Sequence, residues 1–388
     1  MFSIENLYNV LYTNLLKPLH INGRYFYPFG STDANQLIII ERKNHHLMHE
    51  CVFHDQEPIL EKTVDRLIAK GTIGVNHKKI NILANSEFSE ITKSLCKEHH
   101  LLNWYYFYHG FAALDWYRDY QYFSEVECQY TKVFMSLNRL VTNDRSYRLV
   151  LVSLLLERNL IDHGVVSLHL NDQGWGDWRQ ELSSPDTKLS KYQIEFVDKH
   201  IGQLSGSIIA DTNAPRGSLS ADAGPNELAF NQSALWHIVS ETVFYHDKLH
   251  LTEKTFKPIF SKRPFILVAA PGNLAYLKRY GFRTFDRWID ESYDDEKDHQ
   301  RRLEKIAAEI EKLCKLSPAD LKKMHLEMSE VLEFNFNHFY GNFKNIIVRE
   351  LLDNFKGIAA QWNNGRVDGR NIDLSLLNFH DIEKRLLQ

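Results

Sequence analysis

In the run LTEKTFKPIFSKRPFILVAAPGN (251–273), a threonine, a carboxylate and an ammonium stand together at Thr252, Glu253 and Lys254, ahead of a helical pattern and an apolar strand. Glu241 closes the preceding apolar run, ALWHIVSET. A carboxylate at a strand's carboxyl end can accept both hydroxyls of a ribose, and an adjacent ammonium can reach a diphosphate. The competing reading is a threonine cap with an acid in the first turn. That reading covers Thr252 and Glu253 but leaves the charge of Lys254 opposed to the helix dipole.

Three further runs carry chemistry. In SLNRLVTNDRSYR a strand ends at Asn138 and Arg139, a loop follows, and a helix starts near Arg145. Free N–H groups and the helix dipole favour an anion there, and arginine adds bidentate phosphate contacts. Arg148 lies a turn further in and also admits a surface ion pair. In FHDQEP, His54, Asp55 and Glu57 follow an apolar strand. Either Asp55 or Glu57 can take a proton from an attacking hydroxyl; the two can instead bind a divalent cation or act as first-turn helix acids. In FYHGFAALDWYRDY, aromatics interleave with His109, Asp115, Trp116 and Arg118. Such a platform suits a sugar or a base, and equally suits packing at a domain interface.

Other chemistries lack their motifs. The chain contains no GxxxxGK[ST], no strand-linked GxGxxG, no HExxH and no GxSxG. Its four cysteines form no CxxC, and its histidines are scattered or directly adjacent. The expectation is free thiols in a reducing compartment and no metal site.

These residues need elements to position them. QLIIIE, ECVFHD, KINILAN and WYYFYHG (104–110) read as strands, EPILEKTVDRLIAK (57–70) as a helix, and Ser86 with Glu87 and Glu90 as another helix start. The pattern restarts at TKVFMSLNR (131–139), followed by a helix over 145–160, a strand over 164–170 and long polar loops from 171 to 226 with one helix near 188–201. Strands at 234–242 and 263–269 alternate with the helices TEKTFKPIF and NLAYLKRY, and the tail from Asp298 is helical. In SPADL, Ser317 is a cap and Pro318 the first helical residue. Strands alternating with helices imply parallel sheets covered on both faces, with ligands at the strands' carboxyl ends. The reading is α/β: a domain over 1–130, a second over 131–335, and helices over 336–388 returning to the first.

The 388 residues are 44% hydrophobic and 25% charged with a net charge of −4, so no global charge draws the chain to nucleic acid or anionic membrane. The N-terminal MFSIENLYNVLYTNLLKPL reads as an amphipathic helix, and no run reaches the roughly 18 apolar residues of a membrane span. A cytoplasmic protein without a membrane partner is expected.

The segment SET…LTEKTFKPIFSKRPFILVAAPGNL resembles the donor-domain signature of α1,3-fucosyltransferase-like enzymes of the GT-B fold, and more distantly that of exostosin-type enzymes. SLNRLVTNDRSYR is similar to the same family's helix start. The resemblance covers about residues 131–285. It implies two Rossmann-like domains facing across a cleft, with a C-terminal helix crossing back to the first. It also implies an inverting transfer from a nucleotide-diphosphate sugar of UDP or GDP type, without a further cofactor. On that resemblance Glu253 holds the ribose, and Lys254 and Arg145 reach the diphosphate, with Arg139 or Arg148 as substitutes. The base comes from the first domain as Asp55 or Glu57. FHDQEP, YFYHGFAALDWYR and GFRTFDRWIDESYD resemble glycosyltransferase-like proteins of large tailed bacteriophages. That likeness implies DNA with hydroxymethylated bases as acceptor, the aromatics of 107–120 as pocket for a flipped base, and the host cytoplasm as location. A glycan or lipopolysaccharide acceptor is the alternative; a non-catalytic nucleotide-sugar binding protein is another.

Overall fold

The computed structural model describes residues 2–26, 37–39, 49–54, 56–59, 80–172, 176–210, 225–365 and 371–388. The chain divides into two compact units, Met1–Asp115 with Asn342–Gln388, and Trp116–Gly341. Each contains a sheet built mainly or wholly of parallel strands, so the protein is mixed α/β.

The first unit has strands β1 (Ile21–Phe26), β2 (Leu37–Ile39), β3 (His49–Phe53), β4 (Asn81–Asn85) and β5 (Leu102–Tyr105) in the order β2-β1-β3-β4-β5. Only β2, at the edge, is antiparallel. From β1 through β3 and β4 to β5 the chain advances in one direction. Right-handed crossovers then place the connections on one face. The helix Glu90–Glu98 covers that face, where Cys96 meets Val52 and Leu83. The opposite face must be covered by segments from outside the crossovers, and the two termini do this. Tyr8 of the helix Ile4–Val10 packs edge-on against Phe53 at 5.4 Å, and Phe355 of the helix Phe343–Asn364 against Trp104 at 5.0 Å. Trp104 also donates its indole N–H to the Leu351 carbonyl at 3.2 Å. Fully burying such a side chain is worth about 3–5 kcal/mol against alanine.

Several local expectations change. The helix after β4 starts at Glu90 with Ser89 as cap, not at Ser86. Glu87 is not a solvated first-turn acid; it is buried, and its carboxylate accepts from the Ile59 amide and from the hydroxyls of Ser89 and Thr92. The aromatic run is not one strand: β5 stops at Tyr105 and a helix runs over Tyr108–Trp116. The helix expected over 57–70 lies almost wholly outside the described residues.

The second unit carries β6 (Lys132–Asn138), β7 (Gly164–Leu168), a short antiparallel pair β8 (Asn171–Asp172) and β9 (Gly176–Asp177), then β10 (Ala234–Ser240) and β11 (Phe265–Val268). The main sheet is wholly parallel, ordered β11-β10-β6-β7. Every residue of β10 is buried, as a central strand covered on both faces requires. The polar stretch 171–226 holds the helix Trp178–Ser183 as well as the expected Lys191–Ile201. Six residues with a single cap were too short to show periodicity. The tail forms helices His299–Cys314, Pro318–Glu327 and Ser329–Tyr340, with Ser317 and Asp320 closing a reciprocal capping box. Among the described residues no helix is long and apolar enough to cross a membrane.

Candidate functional site

In the second unit the chain goes from β6 outward to β7, then returns to the other side of β6 to place β10 and β11. The carboxyl ends of β6 and β10 are therefore the topological switch point, where ligands of open parallel sheets bind. Asn138 is the last residue of β6, and Glu241 immediately follows β10. Asn138 is fully buried; its amide donates to Ser136 Oγ at 3.0 Å, while its Oδ1 has no hydrogen-bond partner among the described residues. A buried unfilled acceptor is costly unless a donor arrives.

Glu241 is fully buried and accepts four hydrogen bonds. Thr252 N and Thr255 Oγ1 reach one oxygen at 3.1 and 2.6 Å; Thr252 Oγ1 and Thr242 N reach the other at 2.5 and 3.3 Å. The carboxylate thus ties the end of β10 to the turn that carries Glu253 and Lys254. That turn is a 3-10 segment, Glu253–Thr255, leading into the α-helix Phe256–Phe260, with Thr252 as cap. Glu253 is buried, and Lys254 is partly exposed. The Lys254 ammonium sits 2.9 Å from Glu253 Oε1 and 3.2 Å from Thr252 Oγ1. The positive charge at a helix start, which a cap alone left unexplained, is balanced by its neighbour.

Arg148 is not on the surface, and among the described residues it forms no ion pair. It is buried in the helix Tyr147–Glu157, and its guanidinium donates to the carbonyls of Leu140 (2.9 Å), Ser240 (2.9 Å) and Glu241 (3.3 Å). Its Nη donors are committed to main chain and its Nε to the Tyr147 hydroxyl at 3.4 Å, so it positions the strand ends. Tyr147 adds a 2.5 Å bond to the Glu241 carbonyl. Through these bonds the start of the helix Tyr147–Glu157, the end of β10 and the Thr252–Thr255 turn form one hydrogen-bonded assembly. Arg139 is exposed and Arg145 half-buried, the latter in the 3-10 turn Asn143–Arg145.

The helix starts at this edge differ. The one at Asn273–Arg279 is occupied by Asp294, whose carboxylate accepts from the Leu274 and Ala275 amides. Burial nonetheless pushes the Asp294 carboxyl above its ordinary range. The Glu253–Phe260 start is capped by Thr252. The 11-residue helix Tyr147–Glu157 has no side-chain cap. Beside it, Asp144 pairs with His246 at 3.1 Å. Burial would raise the Asp144 carboxyl, but the hydrogen bond and charge of His246, with Lys188 and Arg145, hold it below the ordinary range.

Asp55 lies outside the described residues. Glu57 is half-buried in the loop after β3, where Gln56 reaches the Tyr108 hydroxyl at 2.7 Å. His54 and His109 are buried. Asp115 accepts from the Ile4 amide at 3.0 Å, holding the N-terminal helix. Trp116 is half-buried and Arg118 pairs with Asp119 on the surface at 3.3 Å, both in the second unit. Phe107, Tyr108, Phe111 and Tyr117 are buried. Gly110, too, has a packing role: a Cβ there would stand 2.9 Å from the Phe343 ring.

Thr255, Tyr147, Asp144 and His246 escaped the sequence reading. A hydroxyl three residues after Thr252 and a histidine in the loop after a strand were the available signals. Neither shows its partner until the loops are folded. Comparison with protein-family models, with curated proteins and with solved structures finds no match to this chain.

Proposed function

We propose that the protein is an inverting glycosyltransferase of the GT-B kind, using a nucleotide-diphosphate sugar of UDP or GDP type. The observation that carries this reading is the assembly at the β6/β10 switch point. There a buried carboxylate, Glu241, fixes the Glu253–Lys254 pair, while Arg148 and Tyr147 join it to an uncapped helix start beside Arg145. In this reading Glu253 receives the ribose hydroxyls, displacing the Lys254 ammonium toward the diphosphate. Lys254 and Arg145 offset the charge that grows as the leaving group departs. Asn138 Oδ1 accepts from a donor hydroxyl or base N–H. The base of this reading is Glu57 or Asp55 of the first unit.

The acceptor of this reading is a hydroxymethylated pyrimidine in DNA. The acceptor side of this reading is assigned to His54 and Glu57, which follow β3.

A thermal-shift screen with UDP, GDP, CMP and dTDP tests the donor side, because a ligand at 100 times its Kd stabilises by about 2.7 kcal/mol. UDP or GDP should raise Tm, and Lys254→Ala should remove most of the rise. No rise with any nucleotide would overturn the proposal.

A further inference from the structure

The Asp144–His246 pair is outside every role assigned above, yet it is built into the same edge of the sheet. The loop after β10 is clamped where it leaves the strand: Phe244 stacks on Tyr147 at 4.2 Å, and its carbonyl accepts from Arg302 at 2.6 Å. Arg302 also lies over the Phe244 ring at 4.1 Å. Tyr245 then bonds Ser146 through their hydroxyls at 3.0 Å. These contacts bring His246 over the loop after β6, where its Nε2 meets Asp144 Oδ1 at 3.1 Å. Asp144 is held in turn by its own turn, since the Asn143 amide donates to Glu181 at 2.8 Å and Asn143 takes the left-handed φ of 55°.

An ionised carboxylate only accepts hydrogen bonds, so Nε2 carries the proton. Nδ1, the other ring nitrogen, has no hydrogen-bond partner among the described residues. The side chain is 24% exposed, enough for a ligand to reach it. A carboxylate-oriented imidazole has a fixed ring plane. Charged groups act on this edge from several elements: Arg145 and Lys188 on Asp144, Glu181 of the helix Trp178–Ser183 on Tyr245, and His246 itself, with Asp298 and Arg302, on His299. The uncapped helix start and Arg145 favour an anion at this place.

We propose that Asp144 and His246 form a proton-donating pair that binds the diphosphate of the donor and protonates it as it leaves. This rests on the glycosyltransferase reading. The bond between the sugar's anomeric carbon and the β-phosphate oxygen breaks, and its electron pair goes to that oxygen. The acceptor hydroxyl oxygen bonds to the anomeric carbon and gives its proton to the catalytic base. The proton on His246 Nδ1 passes to the β-phosphate oxygen, leaving neutral imidazole hydrogen-bonded to Asp144. Solvent then restores both protonation states.

The test is calorimetric binding of UDP-glucose and GDP-mannose to the whole chain between pH 5.5 and 8.5. Both are diphosphate diesters whose phosphate charge does not change in that range, so a change in affinity reports the protein. For whichever donor binds, the proposal requires affinity to fall at least about tenfold from pH 5.5 to pH 8.5. His246→Gln binds with an affinity that no longer depends on pH. Asp144→Asn, which keeps a hydrogen-bonding side chain and removes the charge, weakens binding at pH 5.5 and supplies a second variant if the first does not fold. Binding by the unaltered protein with pH-independent affinity overturns the pair and leaves the glycosyltransferase reading standing. No binding of either donor at pH 5.5 overturns that reading itself, and the pair with it.

Discussion

Glu241→Gln separates two roles for the carboxylate at the end of β10. As a tie, Glu241 accepts two bonds on each oxygen. Glutamine keeps a carbonyl oxygen for Thr252 N and Thr255 Oγ1. Its amide nitrogen then faces the Thr242 amide, a donor against a donor, and Thr252 Oγ1, which already accepts from Lys254. Two bonds to a charged acceptor are lost, at about 1.5 kcal/mol each, so the cost is about 3 kcal/mol. For a unit of this size each kcal/mol lowers Tm by about 2–4 °C, which gives a fall of about 6–12 °C. Differential scanning calorimetry measures it, and the nucleotide screen repeated on the variant reads the looser Thr252–Thr255 turn as a smaller ligand shift. A Tm within about 2 °C of the unaltered protein, together with abolished nucleotide binding, refutes the tie and makes Glu241 itself a ligand-binding carboxylate.

Arg148→Met removes the donors from the Leu140, Ser240 and Glu241 carbonyls; urea unfolding should show a loss of about 3–4 kcal/mol, and a loss under about 1 kcal/mol contradicts the positioning role. Ser317→Ala opens the capping box with Asp320 and should cost about 1 kcal/mol, seen as faster amide exchange in the helix Pro318–Glu327. Burial, reinforced by nearby Arg263, lowers His237 from 6.5 to about 3 and His325 from 6.5 to about 4. Below about pH 6.5 the unfolded chain takes up these protons and the folded one does not, so stability should fall steadily from pH 6.5 toward pH 4. His237→Gln should flatten that slope in urea midpoints taken at pH 4.5 and 7; an unchanged slope contradicts the assignment.

The elements were largely legible because their signals are local. β6, β10 and β11 are apolar runs bounded by polar residues, and Ser317-Pro318 is a helix start that one turn of chain specifies. The aromatic run was misread because aromatics suit strands and buried helices alike. Once β5 ends at Tyr105, packing of Gly110 against Phe343 decides for the helix. Glu87 was misread because acids near a helix start usually face water, whereas the Ser89 and Thr92 hydroxyls and the Ile59 amide, far away in sequence, hold it inside.

By itself, then, the sequence determined the α/β class, the TEKT turn after a buried strand and the run of chemistry-bearing residues at strand ends. Those follow from periodicity, capping and strand-end position, each confined to a few neighbouring residues. The sheet orders, the identity of β6/β10 as the switch point, the use of Glu241 and Arg148 as ties and the meeting of Asp144 with His246 were decided only by tertiary structure. Each joins groups distant in the chain, and whether a carboxylate or a guanidinium is committed or available depends on which main-chain atoms the fold brings within 3 Å of it.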